Sequence, residues 1–210
     1  MPIHDMLYRC PRCGHDPLDG HKGRAKCSSC GTRFQQGRGS VIIVRPPKAP
    51  PERISASRLI ADVEKMGGPG NGEGLLREAI IVFGRAEGHD IIRLRGEVLG
   101  FSERISWKGG GLIKLEGEAL TFVPDQDAVA NVEEFSCLLG DIRGILISSS
   151  ALQVTLDGGR MYQLEFVDDS SKRWEDLICL ALTRLYARSG QHITEFKPRI
   201  TVRPDKVGAT

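Results

Sequence analysis

Two hydrophobic periods organise this chain. In "MYQLEFV", Tyr162, Leu164 and Phe166 alternate against Met161, Gln163, Glu165 and Val167. A period of two with one apolar face predicts a half-buried β-strand. The strand follows "ALQVTL" across "DGGR", and Asp-Gly between alternating apolar runs is a strong hairpin signal. Upstream, "IIRLRGEVLGF", "GLIKL", "EGEALTFVP" and "FSCLLGDIRGILIS" read as further short strands, with a tight Glu-Gly-Glu turn at Glu116–Glu118. "WKGGG", residues 107–111, reads as a turn.

The period then changes. Trp174, Leu177, Ile178, Ala181, Leu182, Leu185 and Tyr186 fall at steps of three and four, which is one face of an amphipathic helix. Ser170 or Ser171 suits its N-cap, and Gly190 its end. A shorter helix is expected in "ISASRLIADVEKMGG", with Leu59, Ile60, Val63 and Met66 on one face and Ser57 as its cap. "GGPGNGEG" after it reads as an open loop, and "LLREAIIVF" fits helix and strand equally well. The last 20 residues, 191–210, read as a polar tail with one strand, "HITEFKPRITV".

Near the N-terminus both periods are absent and cysteine takes over. Four of the six cysteines form "CPRCG" and "CSSCG", with thirteen residues between Cys13 and Cys27. A segment of about 40 residues lacks the core to fold unaided. An x₂ spacing aims two sulfurs at one point, and the glycines that follow, Gly14 and Gly31, free the backbone for the turn. Cys10, Cys13, Cys27 and Cys30 are thus the expected ligands of one closed, structural Zn²⁺ site. The segment resembles the zinc ribbons in "YRCPRCGH" and "KCSSCGTRF".

The stretch Pro46–Pro51, "PPKAPP", reads as a semi-rigid linker. The expected organisation is a zinc ribbon over 1–45, linker and short helix over 46–72, a β domain over 73–190, and a tail over 191–210. The expected fold class is α+β, mostly β. From pattern alone, a bent antiparallel sheet takes the late helix as its plug.

Four pieces in order, "GLIKLEGEALTFVP", "FSCLLGDIRGI", "LDGGRMYQLEF" and "WEDLICLAL", resemble the GRAM branch of the PH-like fold. The resemblance implies an antiparallel barrel closed by the C-terminal helix. It also implies a non-catalytic module that binds acidic lipids, an acidic membrane surface or protein segments. Basic residues near the barrel's open end would carry lipid binding, and the candidates are Arg93, Arg95, Arg104, Lys108 and Lys114.

Charge changes this picture modestly. The net charge is +2, but residues 1–50 hold nine Lys/Arg against three Asp/Glu, and the remainder is acidic on balance. Arg9, Arg12, Lys22, Arg24, Lys26 and Arg33 on the ribbon offer nucleic-acid binding as an alternative, with the β domain as a docking module. A second alternative is an accessory subunit of a membrane-lipid enzyme. No nucleophile–base motif, phosphate loop or HExxH is present, so the expectation is a protein without catalysis. Cys137 and Cys179, in apolar settings, are expected to be inert buried thiols. No apolar run reaches the roughly 20 residues of a membrane span, and no secretory leader is evident. The expected location is therefore cytoplasmic, with peripheral attachment to a membrane as an extension of the lipid reading.

Overall fold

The computed structural model describes residues 3–21, 23–66, 76–125, 134–148, 151–196 and 199–204. The chain divides into two compact units, Met1–Glu73 with Asp169–Leu177, and Gly74–Asp168 with Ile178–Thr210. The protein is mostly β, as its pattern predicts, with two helices longer than a single turn among the described residues.

The first unit is an antiparallel meander of five short strands: β1 (Asp19–His21), β2 (Arg24–Lys26), β3 (Arg33–Gln36), β4 (Val41–Arg45) and β5 (Glu52–Ser55). A single helical turn, α1 (Ile3–Met6), precedes them, and α2 (Ala56–Lys65) follows. Ser55, not Ser57, caps α2, because its side chain accepts from the Arg58 backbone N–H. Leu59 and Val63 bury one face of α2, while Met66 at its end is 40% exposed. One small core joins Ile3, Leu7, Tyr8, Phe34, Ile42, Val44, Leu59 and Val63 with Cys10 and Cys27.

The proline stretch behaves differently from the linker the sequence suggests. Val41 pairs with Ser55 and Val44 with Glu52, so Pro46–Pro51 connects two partnered strands inside one unit. Proline there removes donors that a ladder would otherwise expose, which suits a connection between strands as well as a spacer.

A second departure is the segment 169–177, which folds with the first unit. Its polar residues explain the attachment. Lys172 Nζ lies 3.0 Å from Glu64, 3.0 Å from Glu175 and 2.8 Å from Asp176. Tyr8 donates its hydroxyl to Asp176 at 2.9 Å. Arg173 pairs with Asp169 at 2.9 Å and with Asp16, and stands over the Tyr8 ring. Burial works against the Lys172 ammonium, but Asp176 and Glu175 outweigh it and hold it above the usual lysine range. Burial pushes the Asp176 carboxyl up, with Lys172 and Tyr8 opposing. The two groups lie 2.8 Å apart, so each offsets part of the other's burial.

The second unit is built on seven strands, β6 (Leu76–Leu94), β7 (Glu97–Glu116), β8 (Ala119–Pro124), β9 (Phe135–Leu138), β10 (Ile142–Ser148), β11 (Ala151–Leu156) and β12 (Met161–Phe166). They form an antiparallel sheet in the order β10-β11-β12-β6-β7-β8-β9. The sheet is open, with β9 and β10 at its two edges and only a short 3₁₀ turn (Leu139–Asp141) between them in sequence. The closed barrel implied by the resemblance is not formed as a strand-paired cylinder. The run "FSCLLGDIRGILIS" is thus two strands, not one.

The DGGR hairpin forms as expected, with Gly158 at φ +76° and β11 paired to β12. Ile81, Ile113, Leu115, Leu120, Phe122, Leu152 and Leu164 are fully buried, and Phe83, Phe122, Phe135 and Tyr162 stack among themselves. The ambiguous "LLREAIIVF" is strand from Leu76 on. "WKGGG" is not a turn but the middle of β7, and it is Gly-rich for a steric reason. A Cβ on Gly111 would lie 2.4 Å from the Val123 carbonyl oxygen. The late helix, α3 (Ser171–Arg188), has the predicted span, and its start through Leu177 is counted with the first unit. The tail holds two paired strands where one is expected, β13 (Gln191–Glu195) and β14 (Thr201–Pro204). The "GGPGNGEG" loop lies outside the described residues.

Candidate metal centre and anion pocket

The two cysteine knuckles repeat each other bond for bond. Gly14 donates its N–H to Cys10 O at 2.9 Å, and Gly31 to Cys27 O at 3.0 Å. Cys10 N–H reaches His15 O at 2.9 Å, and Cys27 N–H reaches Thr32 O at 2.9 Å. Gly14 and Gly31 sit at φ +73° and +71°, a left-handed conformation that a Cβ disfavours. The sequence signal, a Gly directly after each Cys-x-x-Cys, is therefore a backbone requirement of the turn.

Together the knuckles bring four Sγ atoms within 4.8 Å of one another. Cys10 and Cys30 are 3.7 Å apart and Cys13 and Cys27 3.5 Å. A tetrahedron with metal–sulfur bonds of about 2.3 Å has edges near 3.8 Å, so the four sulfurs fit one ion. None of the four is in a disulfide. His15 is not part of the cluster, because its Nε2 lies 2.7 Å from Ser28 Oγ.

Electrostatics within the cluster is uneven. Burial pushes the Cys10 and Cys27 thiols up. Burial acts on Cys30 too, but Thr32 and the neighbouring cysteines outweigh it and bring this thiol down to about 6. Thr32 Oγ1, itself buried, lies 3.1 Å from Cys30 Sγ and stabilises the thiolate. Burial without a cation leaves Cys10 and Cys27 protonated. A divalent ion held among the four sulfurs would supply the missing charge and favour their thiolate forms.

The second unit holds a different site. A pocket of about 440 Å³ is lined by Phe83, Phe135 and Tyr162, by Arg85, Lys108 and Arg160, and by Glu134 and Ser136, so three cations face one carboxylate. The three rings form an apolar floor, with Phe135 and Tyr162 centroids 4.3 Å apart. Lys108 reaches the pocket because it is the extra residue of a β-bulge, opposite the Phe83–Gly84 step of β6. Its ammonium also pairs with Glu87 and lies 2.9 Å from Ser106 Oγ. Arg85 and Arg160 form no ion pair among the described residues.

The five basic candidates read from sequence do not converge. Arg93 and Arg95 lie at the far end of the β6–β7 hairpin, and Arg104 lies midway along it, 3.8 Å from Asp90. Lys114 lies where β7 pairs with both β6 and β8, and it is bonded to Glu78 at 2.5 Å. From Arg93 to the Glu78–Lys114 pair is 15 residues of strand, roughly 50 Å. Lys108 alone belongs to the pocket. Arg85 and Arg160 were missed, because only the pairing of β12 with β6 brings them together, as Tyr162 faces Arg85.

Cys137 is buried, and that burial pushes its thiol up to about 12, as expected of an inert core cysteine. Cys179 is only half-buried. Among the described residues no helix is long and apolar enough to cross a membrane. No family model matches the sequence, and no curated protein matches it.

Proposed function

We propose that the protein is a non-catalytic adaptor with a structural zinc in its first unit and an anion-binding pocket in its second. The four thiolates favour Zn²⁺, because a tetrahedral all-sulfur set suits its softness and leaves no open position for catalysis. Cys10, Cys13, Cys27 and Cys30 hold the ion, and its role is to fold a unit whose own core is small.

The second unit is read as a PH/GRAM-like domain. Support comes from the seven-stranded antiparallel sheet, in which the last strand β12 pairs with the first, β6, from the helix that follows it, and from the ordered sequence pieces that resemble that family. The observation that carries the binding reading is the pocket itself. Arg85, Lys108 and Arg160 stand over an aromatic floor, a setting for a phosphorylated membrane-lipid headgroup. A volume of about 440 Å³ suits a headgroup rather than a whole lipid. The adaptor then works by attaching a partner protein to an acidic membrane surface.

Vesicle flotation tests this reading. Binding to vesicles with phosphorylated anionic lipid is expected, and none to neutral vesicles. Replacing Arg85 and Arg160 with Ala is expected to weaken binding about fivefold per cation, since each basic group near an anionic surface contributes about 1 kcal/mol. Equal binding by wild type and the double variant would contradict the pocket reading.

A further inference from the structure

The β6–β7 hairpin outgrows its sheet. β12 pairs with β6 only over Ile81–Arg85, and β8 pairs with β7 only over Gly111–Glu116. Beyond these points the hairpin continues as a two-stranded arm to the turn at Arg95–Gly96, where Arg95 has φ +51°. The arm from Ala86 to Leu94 is nine residues, roughly 30 Å. Neither of its outer edges has a strand partner among the described residues.

Its middle is apolar on both faces. Ile91 pairs with Phe101, and Val98 shares their face opposite Arg93. Ile92 and Leu94 lie on the other face, and Leu99 occupies a bulge. These six side chains are 46–63% exposed. A long two-stranded ribbon with open edges and apolar faces is marginal alone in water, and it templates pairing with another chain.

Charge distinguishes the possible occupants. The tip carries Arg93, Arg95 and Glu97, a net positive end, and the base of the apolar band carries Asp90, Glu103 and Arg104, a net negative end. A bilayer entered tip-first would have to take Arg95 first and Glu97 together with its strand partner Leu94, ahead of the rest of the apolar band, which is the costly order. A second arm laid antiparallel meets both ends at once. Its apolar band covers this one, its positive tip reaches this base, and its base receives this tip. The contact is isologous and closes as a two-fold dimer.

We propose that the distal β6–β7 arm is a self-association surface on which two copies of the chain pair antiparallel, arm against arm. The proposal uses neither the cysteine cluster nor the anion pocket.

Sedimentation equilibrium of the intact 210-residue chain, from low to high micromolar, tests it. A reversible monomer–dimer equilibrium is expected. Phe101→Ser, at a site already 63% exposed and so neutral for folding, is expected to raise the dimer dissociation constant more than about tenfold. Reversing the tip (Arg93→Glu with Arg95→Glu) is expected to weaken the dimer, and adding the reversed base (Asp90→Lys with Glu103→Lys) to restore it. A monomer at every concentration overturns the proposal, as does a dimer indifferent to Phe101→Ser. Failure of the reversed base to restore association overturns the antiparallel arrangement. A monomer that binds anionic vesicles only with Phe101 intact assigns the arm to a membrane instead, and overturns it too.

Discussion

The two units solve one problem by different means. The second unit has a seven-stranded sheet and a core that includes Phe83, Phe122, Leu152 and Leu164. Burial of that kind, at about 25 cal/mol per Å² of apolar surface, suffices for a domain of its size. The first unit has strands of three to five residues and a core in which two of the buried residues are cysteines. It substitutes fixed points for buried area: four convergent thiols at one place, and the cluster around Lys172 and Arg173 at another. What a sheet spreads over many side chains, the cysteine unit concentrates in a few. Concentration makes single substitutions in the first unit more damaging than a count of its residues suggests.

The most damaging change should be Cys27→Ser. A structural metal supplies on the order of 10 kcal/mol or more to its unit. Loss of bound metal and protease cleavage within residues 3–66 are expected, with the β signal of the second unit retained. The same linkage gives a pH dependence. The metal-bound state holds fewer protons than the free thiols, so affinity falls as pH falls. Cys30, with its thiol at about 6, competes for protons last, while the raised thiols of Cys10 and Cys27 compete early. Metal retention measured against pH is therefore expected to fall as the solution is acidified, and to be unaffected by raising the pH above neutral.

Next in size is Phe122→Ala in the second unit. It removes a fully buried ring that stacks on Phe83 at 4.6 Å, and should cost about 4 kcal/mol. The denaturant midpoint of the sheet falls, and metal content stays the same. Lys172→Ala should cost about 3 kcal/mol, because it removes the buried ammonium that Glu175 and Asp176 share. Its signature is faster hydrogen exchange in 169–177 and around Tyr8. Arg12→Ala is the small case. Arg12 meets Glu52 at 2.6 Å, but both are about two-fifths exposed, so the change should stay under about 1 kcal/mol by thermal melting.

What could be read from sequence follows the same division. The knuckles were legible because their geometry is local: a Cys pair and a Gly within five residues specify the turn. The helix Ser171–Arg188 and the DGGR hairpin were legible for the same reason, since a period or a turn dipeptide suffices. The proline stretch misled because proline composition is shared by linkers and strand connections, and only the pairing of Ile42 with Ile54 separates them. The Gly-rich run in β7 misled because close packing and turning both ask for glycine. The arm was hidden by its turn, in which Arg95 rather than Asn or Asp takes the left-handed position before Gly96. Attachment of 169–177 to residues 8, 16 and 64 depends on contacts more than 100 positions apart, which no local pattern encodes.

The central claim is that a metal held by four cysteines folds the first unit. Hydrogen exchange with metal counting, before and after a strong chelator, tests it most directly. The account predicts one zinc per chain, and after chelation rapid exchange across β1–β5 while Ile81, Ile113 and Leu164 keep their protection. A chain that carries no metal, or whose β1–β5 amides are unchanged once the metal is gone, would contradict it.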